Sequence, residues 1–260
     1  MQLTLALAQM DILVGQPDRN LELASTLALE AAQQGCDLLL LPELWSSGYD
    51  LSRWPQFATS LGEGMFKEMS RLASQHRIWI GGSLLEKDAG KAYNTFVLFN
   101  PNGSLEASYR KIHLFRLMDE HLWLTPGDHP VVLDLPWGRT ALTTCYDLRF
   151  PDLFTACALD GATFFLLCAE WPERRIVHWD SLLRARAIEN QAFVVAVNRS
   201  GRDTGESFGG RSAVIGPWGD EIAVAGQEQT ILVCEIDLNE VEDARRRIPV
   251  FNDRRPDVYR

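Results

Sequence analysis

The residue of this chain best placed for covalent chemistry is a cysteine at the end of an apolar run. Cys145 closes Ala141-Leu142-Thr143-Thr144 and precedes Tyr146-Asp147-Leu148-Arg149-Phe150-Pro151, with Pro151 suited to the first turn of a helix. The pattern predicts a strand-to-helix corner, where backbone N–H groups can favour a thiolate and hold an oxyanion. The competing reading is plain burial, since cysteine is among the residue types most often packed inside. A thiol nucleophile also needs a base. His178-Trp179-Asp180 offers a histidine with an acid two residues on, although His178 falls within a helical pattern. A second set joins Glu43, just past the run Leu38-Leu39-Leu40-Leu41-Pro42, to Lys111 in Tyr109-Arg110-Lys111-Ile112-His113. Taken singly, Glu43 is equally a loop carboxylate and Lys111 equally part of a solvated basic stretch.

Other signals carry less. Gly205-Glu206-Ser207-Phe208-Gly209 spells the G-x-S-x-G of serine hydrolases, but that nucleophile needs a strand before it, a helix after it and a histidine further on. The last histidine here is His178. Asn102-Gly103-Ser104 and Asn198-Arg199-Ser200 are glycosylation sequons in spelling only and read as turns. There is no P-loop and no G-x-G-x-x-G after a strand, so no nucleotide cofactor is expected. The five cysteines, Cys36, Cys145, Cys157, Cys168 and Cys234, are scattered and never form C-x-x-C, which fits reduced thiols and gives no support to a disulfide framework or a metal site.

The elements that must position these residues can be read from periodicity. Leu3, Leu5 and Leu7 alternate with small residues as a strand does, and Pro17-Asp18 opens a helix closed by Gly35. A strand over 37–41, a helix over 65–75 and a strand over 78–85 follow. Residues 94–99 and 105–109, joined by Asn100-Pro101-Asn102-Gly103, form a hairpin pattern. Strands are expected over 131–133 and 140–144, then helix 151–160, strand 163–167, helix 173–190, strand 193–197, and late strands over 212–215 and 231–236. Hairpins mixed with β-α units indicate an α/β chain of two packed sheets covered by helices.

The composition narrows the class. With 260 residues, 46% hydrophobic and 23% charged, the chain has an ordinary globular make-up and no marked domain boundary. Its net charge of −10 argues against nucleic acid and anionic membranes as partners. No apolar run approaches the ~18 residues of a membrane span. The amino terminus lacks a basic leader pattern, so the expectation is a cytoplasmic protein.

Three segments together change the weight of these readings. Leu41-Pro42-Glu43 with Gly48-Tyr49, then Tyr109-Arg110-Lys111-Ile112-His113-Leu114, then Thr144-Cys145-Tyr146-Asp147-Leu148-Arg149-Phe150-Pro151 resemble, in order, the motifs of the nitrilase or carbon–nitrogen hydrolase superfamily. Arg184 to Gln191, Asn198-Arg199-Ser200-Gly201 and the tail from Pro249 to Asp257 are similar to its later segments, and the nearest likeness is to the omega-amidase branch. The resemblance implies a four-layer α-β-β-α sandwich, one domain over 1–260 with 248–260 as an arm, and homodimers or larger homo-oligomers. It implies Cys145 as nucleophile, Glu43 as general base and Lys111 as the oxyanion-stabilising cation, with Glu120 in Met118-Asp119-Glu120-His121 as a second glutamate. It further implies the backbone N–H of Tyr146 as the second oxyanion donor, and calls for no metal or organic cofactor. Tyr49 is expected at the substrate. In Glu170-Trp171-Pro172-Glu173-Arg174-Arg175, Trp171 could wall the acyl chain and Arg174 pair a substrate carboxylate, or both could cap a helix. Glu170 departs from the small or amide residue expected there, and its charge bears on an acidic substrate. The implied reaction is hydrolysis of small ω-amides of dicarboxylic (2-oxo) acids to acid and ammonia through a thioester. A sibling activity on N-carbamoyl, nitrile or other amide substrates, and a catalytically silent interaction subunit, remain open beside it.

Overall fold

The structure is a computed structural model that describes residues 2–203 and 205–259. Its first strand, β1 (Gln2–Gln9), shows how the rest is assembled. Side chains alternate across a strand, so Leu3, Leu5 and Leu7 enter one buried cluster while Ala6 and Ala8 enter another. The helix α1 (Pro17–Gln33) starts on a proline, whose missing N–H is harmless there. It lays Ala24, Ala28 and Ala31 against the alanine face of the strand. The chain leaves the helix through Gly35 at φ 74, a left-handed conformation that glycine adopts without a Cβ penalty.

The first half continues through β2 (Leu38–Leu40), the single turn α2 (Trp54–Phe57), α3 (Gly64–His76), β3 (Trp79–Asp88), β4 (Lys91–Phe99) and β5 (Leu105–Arg110). Here β1, β2 and β3 run parallel, and β3, β4 and β5 form an antiparallel meander. The second half holds α4 (Glu120–Trp123), β6 (Val131–Leu135), β7 (Gly138–Thr144), α5 (Pro151–Leu159), β8 (Phe164–Ala169), α6 (Ile176–Asn190) and β9 (Phe193–Asn198). After β10 (Ala213–Ile215) and β11 (Glu221–Val224), β12 (Thr230–Asp237) crosses back to pair with β1, and α7 (Glu240–Arg247) follows. Beyond it Phe251 packs on the helical side of the second half, while Val258 and Tyr259 are exposed.

Two six-stranded sheets result, ordered β12-β1-β2-β3-β4-β5 and β11-β10-β9-β8-β7-β6. Leu5, Leu40, Phe96, Phe164, Leu166 and Val195 fill the space between them. On the outer faces, α1 and α3 cover the first sheet and α5 and α6 the second. The layers are therefore α-β-β-α, as the resemblance implies. Elements read from periodicity recur with shifted ends, and the helix expected over 173–190 begins as a tight turn, Glu173–Arg175, before α6. The four-residue helices α2 and α4 are too short to show a period. α7 is marked by charge, with Glu240, Glu242 and Asp243 in its first turn and Arg245, Arg246 and Arg247 in its last, as the helix dipole favours.

Leu166 lies fully buried between the sheets on β8, which is paired on both sides. Leu166→Ala is expected to lower stability by about 2–5 kcal/mol in a urea titration, and a loss below about 1 kcal/mol would mean that the intersheet core is loosely packed.

Candidate active site

Strands of both sheets end beside one enclosed group of ionisable side chains. Glu43 follows β2, Lys111 follows β5, Glu120 opens α4 and Cys145 follows β7. Lys111 Nζ lies 2.8 Å from Glu43 Oε1 and 2.6 Å from Glu120 Oε1, with all three side chains at 0% exposure. Further donors satisfy the carboxylates. Glu43 Oε1 accepts from Asn94 Nδ2 at 2.8 Å, and its Oε2 accepts from the Glu170 backbone N–H at 2.9 Å. Glu120 Oε1 accepts from the Tyr49 hydroxyl at 2.6 Å, and its Oε2 from the Phe115 N–H at 2.6 Å. The Cys145 thiol is buried within electrostatic reach of Glu43 and Lys111.

The electrostatics define the resting protonation. Burial works against charge on Lys111, but Glu120 and Glu43 outweigh it and hold the ammonium well above the usual lysine range. Burial raises Glu120, with Lys111 pulling the other way. Burial and then the charge of Glu43 push the Cys145 thiol well up, and Lys111 opposes this without reversing it. Ionisation of the thiol before attack is thus disfavoured, in keeping with Glu43 as the group that takes its proton. The corner holds a thiol in reach of a carboxylate, so proton loss from sulfur has to accompany attack.

The corner itself is built around Asp147. Cys145 sits at φ 46, left-handed for a residue with a Cβ, at the start of the tight turn Cys145–Arg149. Such a conformation costs about 1 kcal/mol or more and persists where the surroundings fix it. Thr144 and Asp147 close a capping box, and Asp147 also accepts from the Tyr109 hydroxyl at 2.7 Å and the His113 N–H at 3.1 Å. Tyr146 is the second residue of the turn, where backbone N–H groups have no acceptor within the helix.

A narrow hollow opens beside Cys145, its walls including Phe115, Tyr146, Trp171 and Pro172. Trp171 lines the hollow, its backbone N–H donating to Asn198 Oδ1 at 2.6 Å. Tyr49 is not among the lining residues; its hydroxyl donates to Glu120 Oε1. Arg174 does not reach the hollow either: it is 62% exposed and paired with Glu206 at 2.6 Å. The neighbouring Arg175 lines the hollow instead, as do Arg149 and Glu170. The concern over Glu170 is met by Arg199, whose Nη1 lies 2.6 Å from its Oε2. Burial still raises Glu170 to about 7 against that pull.

The histidine alternative does not assemble. His178 lies on α6 with Nδ1 3.1 Å from Arg149 Nη2, and Asp180 is paired with Arg211. Ser207 sits in a loop, its Oγ accepting from Arg202 Nε at 3.0 Å, with no strand-to-helix elbow around it. Asn94, Phe115, Arg149 and Arg175 were not singled out from sequence. Arg149 lies within the cysteine motif, and Arg175 is one residue from the arginine that was chosen.

Fold and site together define a hydrolytic enzyme. The carbon-nitrogen hydrolase family model matches residues 4–246, and the chain belongs to that family. It is 39% identical over 260 residues to the 2-oxoglutaramate amidase of Bacillus subtilis (strain 168), covering 100% of both chains. To the omega-amidase NIT2 of Homo sapiens it is 37% identical over 266 residues, covering 98% of this chain and 96% of that one. Among solved structures it is similar to XC1258 from Xanthomonas campestris, a CN-hydrolase superfamily protein with an arsenic adduct in its active site. There the TM-score is 0.91 at 29% identity, over 98% of each chain.

Replacing Lys111 by Met leaves two buried carboxylates without their shared cation, and a loss of about 3–5 kcal/mol is expected at neutral pH. Glu120 is already raised above its unfolded value of 4.5, and losing Lys111 raises it further, so the folded variant binds more protons than the unfolded chain. Its stability deficit is therefore largest at neutral pH and shrinks as pH falls toward 4.5, which urea titrations across that window measure. A deficit independent of pH would mean that the carboxylates do not share the charge of Lys111.

Proposed function

We propose that the chain is an amidase that hydrolyses the ω-amide of small 2-oxo dicarboxylic acids, releasing ammonia. The observation that carries the reading is the solvent-free contact of Lys111 Nζ with both Glu43 and Glu120, with the buried Cys145 thiol in electrostatic reach of Glu43 and Lys111. The names of the two curated relatives supply the substrate class.

In the proposed cycle Glu43 takes the proton of Cys145 as sulfur bonds to the amide carbon. The oxygen that gains negative charge is met by Lys111 Nζ and by the Tyr146 N–H. Glu43 returns the proton to nitrogen, the C–N bond breaks and ammonia leaves a thioester on Cys145. Water then gives a proton to Glu43 and attacks the same carbon, and the acid departs as sulfur regains its proton. Glu120 keeps Lys111 aimed at the developing charge, and Tyr49 keeps Glu120 in place.

The reading extends to a single catalytic unit over the whole chain, with 248–260 as an arm, acting in the cytoplasm as a homo-oligomer. Support for association comes from exposed apolar residues on and beside α6, Val177 at 70%, Ile188 at 49% and Trp218 at 43%. Support for a reducing compartment comes from five free cysteines.

Cys145→Ala is expected to release no ammonia from 2-oxoglutaramate, while Ser207→Ala turns over like the parent. Glu43→Gln, which keeps the shape but cannot take the proton, should lower kcat by about a hundredfold or more. Ammonia release by Cys145→Ala at the parental rate sinks the proposal.

A further inference from the structure

We propose that Asn94 is a positioning residue for the reaction: by holding Glu43 through one carboxylate oxygen, it leaves the other, Oε2, as the oxygen that exchanges protons with Cys145. This rests on the amidase reading above and adds to it a neutral residue outside the ionisable group.

A carboxylate offers about four lone-pair sites, two on each oxygen. On Glu43 Oε1 both are taken, by Lys111 Nζ at 2.8 Å and by Asn94 Nδ2 at 2.8 Å. Oε2 accepts from the Glu170 backbone N–H at 2.9 Å and keeps a site for one more bond. A proton coming from sulfur is therefore received at Oε2, while Oε1 stays bonded to its two donors. Donors on both oxygens also keep the carboxylate from turning about its own axis. Lys111 has a second task in the proposed cycle, meeting the charge that develops on the substrate oxygen. Asn94 is the side-chain donor that holds Glu43 throughout.

Asn94 acts on the cation as well. Its backbone carbonyl accepts from the Lys111 N–H at 2.9 Å, which carries the pairing of β4 with β5 one residue past Thr95 and Arg110. One residue thus sets both the backbone of the lysine and the head of the glutamate. Stability alone does not account for a carboxamide at this place. Asn94 is 1% exposed, and its Oδ1 is buried with no hydrogen-bond partner among the described residues. A buried carbonyl oxygen left unpaired is a cost that an apolar side chain on the strand avoids. An aspartate would set a further carboxylate against Glu43. The carboxamide is the choice that brings a donor to Glu43 without adding charge.

The ionisable groups around Glu43 are Lys111, Glu120, Tyr49, Cys145, Cys168 and Glu170. The Asn94 side chain donates to Glu43 alone, so a change in pH dependence on removing it reports that bond. The test follows ammonia release from 2-oxoglutaramate across pH in Asn94→Leu, which fills the space without a donor. Here kcat is expected to fall by about tenfold or more, with KM within about threefold of the parent. A donor favours the charged carboxylate, so its loss moves the acid limb of kcat/KM to higher pH, by about one unit. Asn94→Asp should lose more, and Asn94→Ser, with a donor on a shorter arm, should stand between the parent and Asn94→Leu and replaces it if that variant does not fold. Thr95→Val, which removes a bond to Glu86 on the same strand, is the control and should lower Tm while keeping the parental kcat and acid limb. Parental kcat in Asn94→Leu, or a lower kcat with the acid limb in place, overturns the inference. Alkylation of Cys145 by iodoacetamide at neutral pH, read by peptide mass spectrometry, asks the same question without substrate. The thiol proton passes to Oε2 as sulfur bonds to carbon and iodide leaves, and the rate is expected to be about tenfold lower in Asn94→Leu. If the parent releases no ammonia from 2-oxoglutaramate the amidase reading fails, and this rate alone then decides for or against Asn94.

Discussion

One ammonium held between two carboxylates, away from water, governs what the rest of this molecule must supply. Taking ions out of water costs several kcal/mol each, and mutual attraction compensates only when the remaining lone pairs and protons are also satisfied. Lys111 meets Glu43 and Glu120, but the carboxylates need more acceptance filled than one lysine can fill. The donors come from a side chain on β4, a hydroxyl in the loop after β2 and two backbone N–H groups at Phe115 and Glu170. A buried charge cluster therefore fixes the relative positions of segments that are remote along the chain.

The thiol next to this cluster inherits a particular character. An isolated cysteine at a helical turn beside a lysine tends toward thiolate, yet here burial and Glu43 dominate and Lys111 is largely occupied by its two acids. Sulfur keeps its proton until a partner atom accepts the electron pair. Cys145 keeps a left-handed backbone at the start of the turn, and the capping box of Thr144 and Asp147 holds that turn closed.

The fold was largely visible in the sequence because its determinants are local and periodic. Leu3, Leu5 and Leu7 show a two-faced strand, and the hairpin turn at Asn100 to Gly103 is spelled by residues whose conformations are restricted. Glu43, Lys111 and Cys145 were identified together only through their resemblance to known motifs, since nothing in their spacing says that they meet. Which of Arg174 and Arg175 faces the hollow is not legible in the sequence: in a tight turn consecutive side chains point about 120° apart, and Arg174 is drawn outward to Glu206 across a loop. Tyr49 lay in the right motif, but its partner, Glu120, is far away in sequence.

The amide of Glu170 resting on Glu43 joins the end of β8, in one sheet, to the end of β2, in the other. Each layer thus contributes an indispensable fragment to a single centre, and neither holds a working remnant by itself. A protease nick that lets the layers slide apart silences the molecule in one stroke. For the same reason, such a gene has to be inherited whole and cannot be divided into separately useful modules.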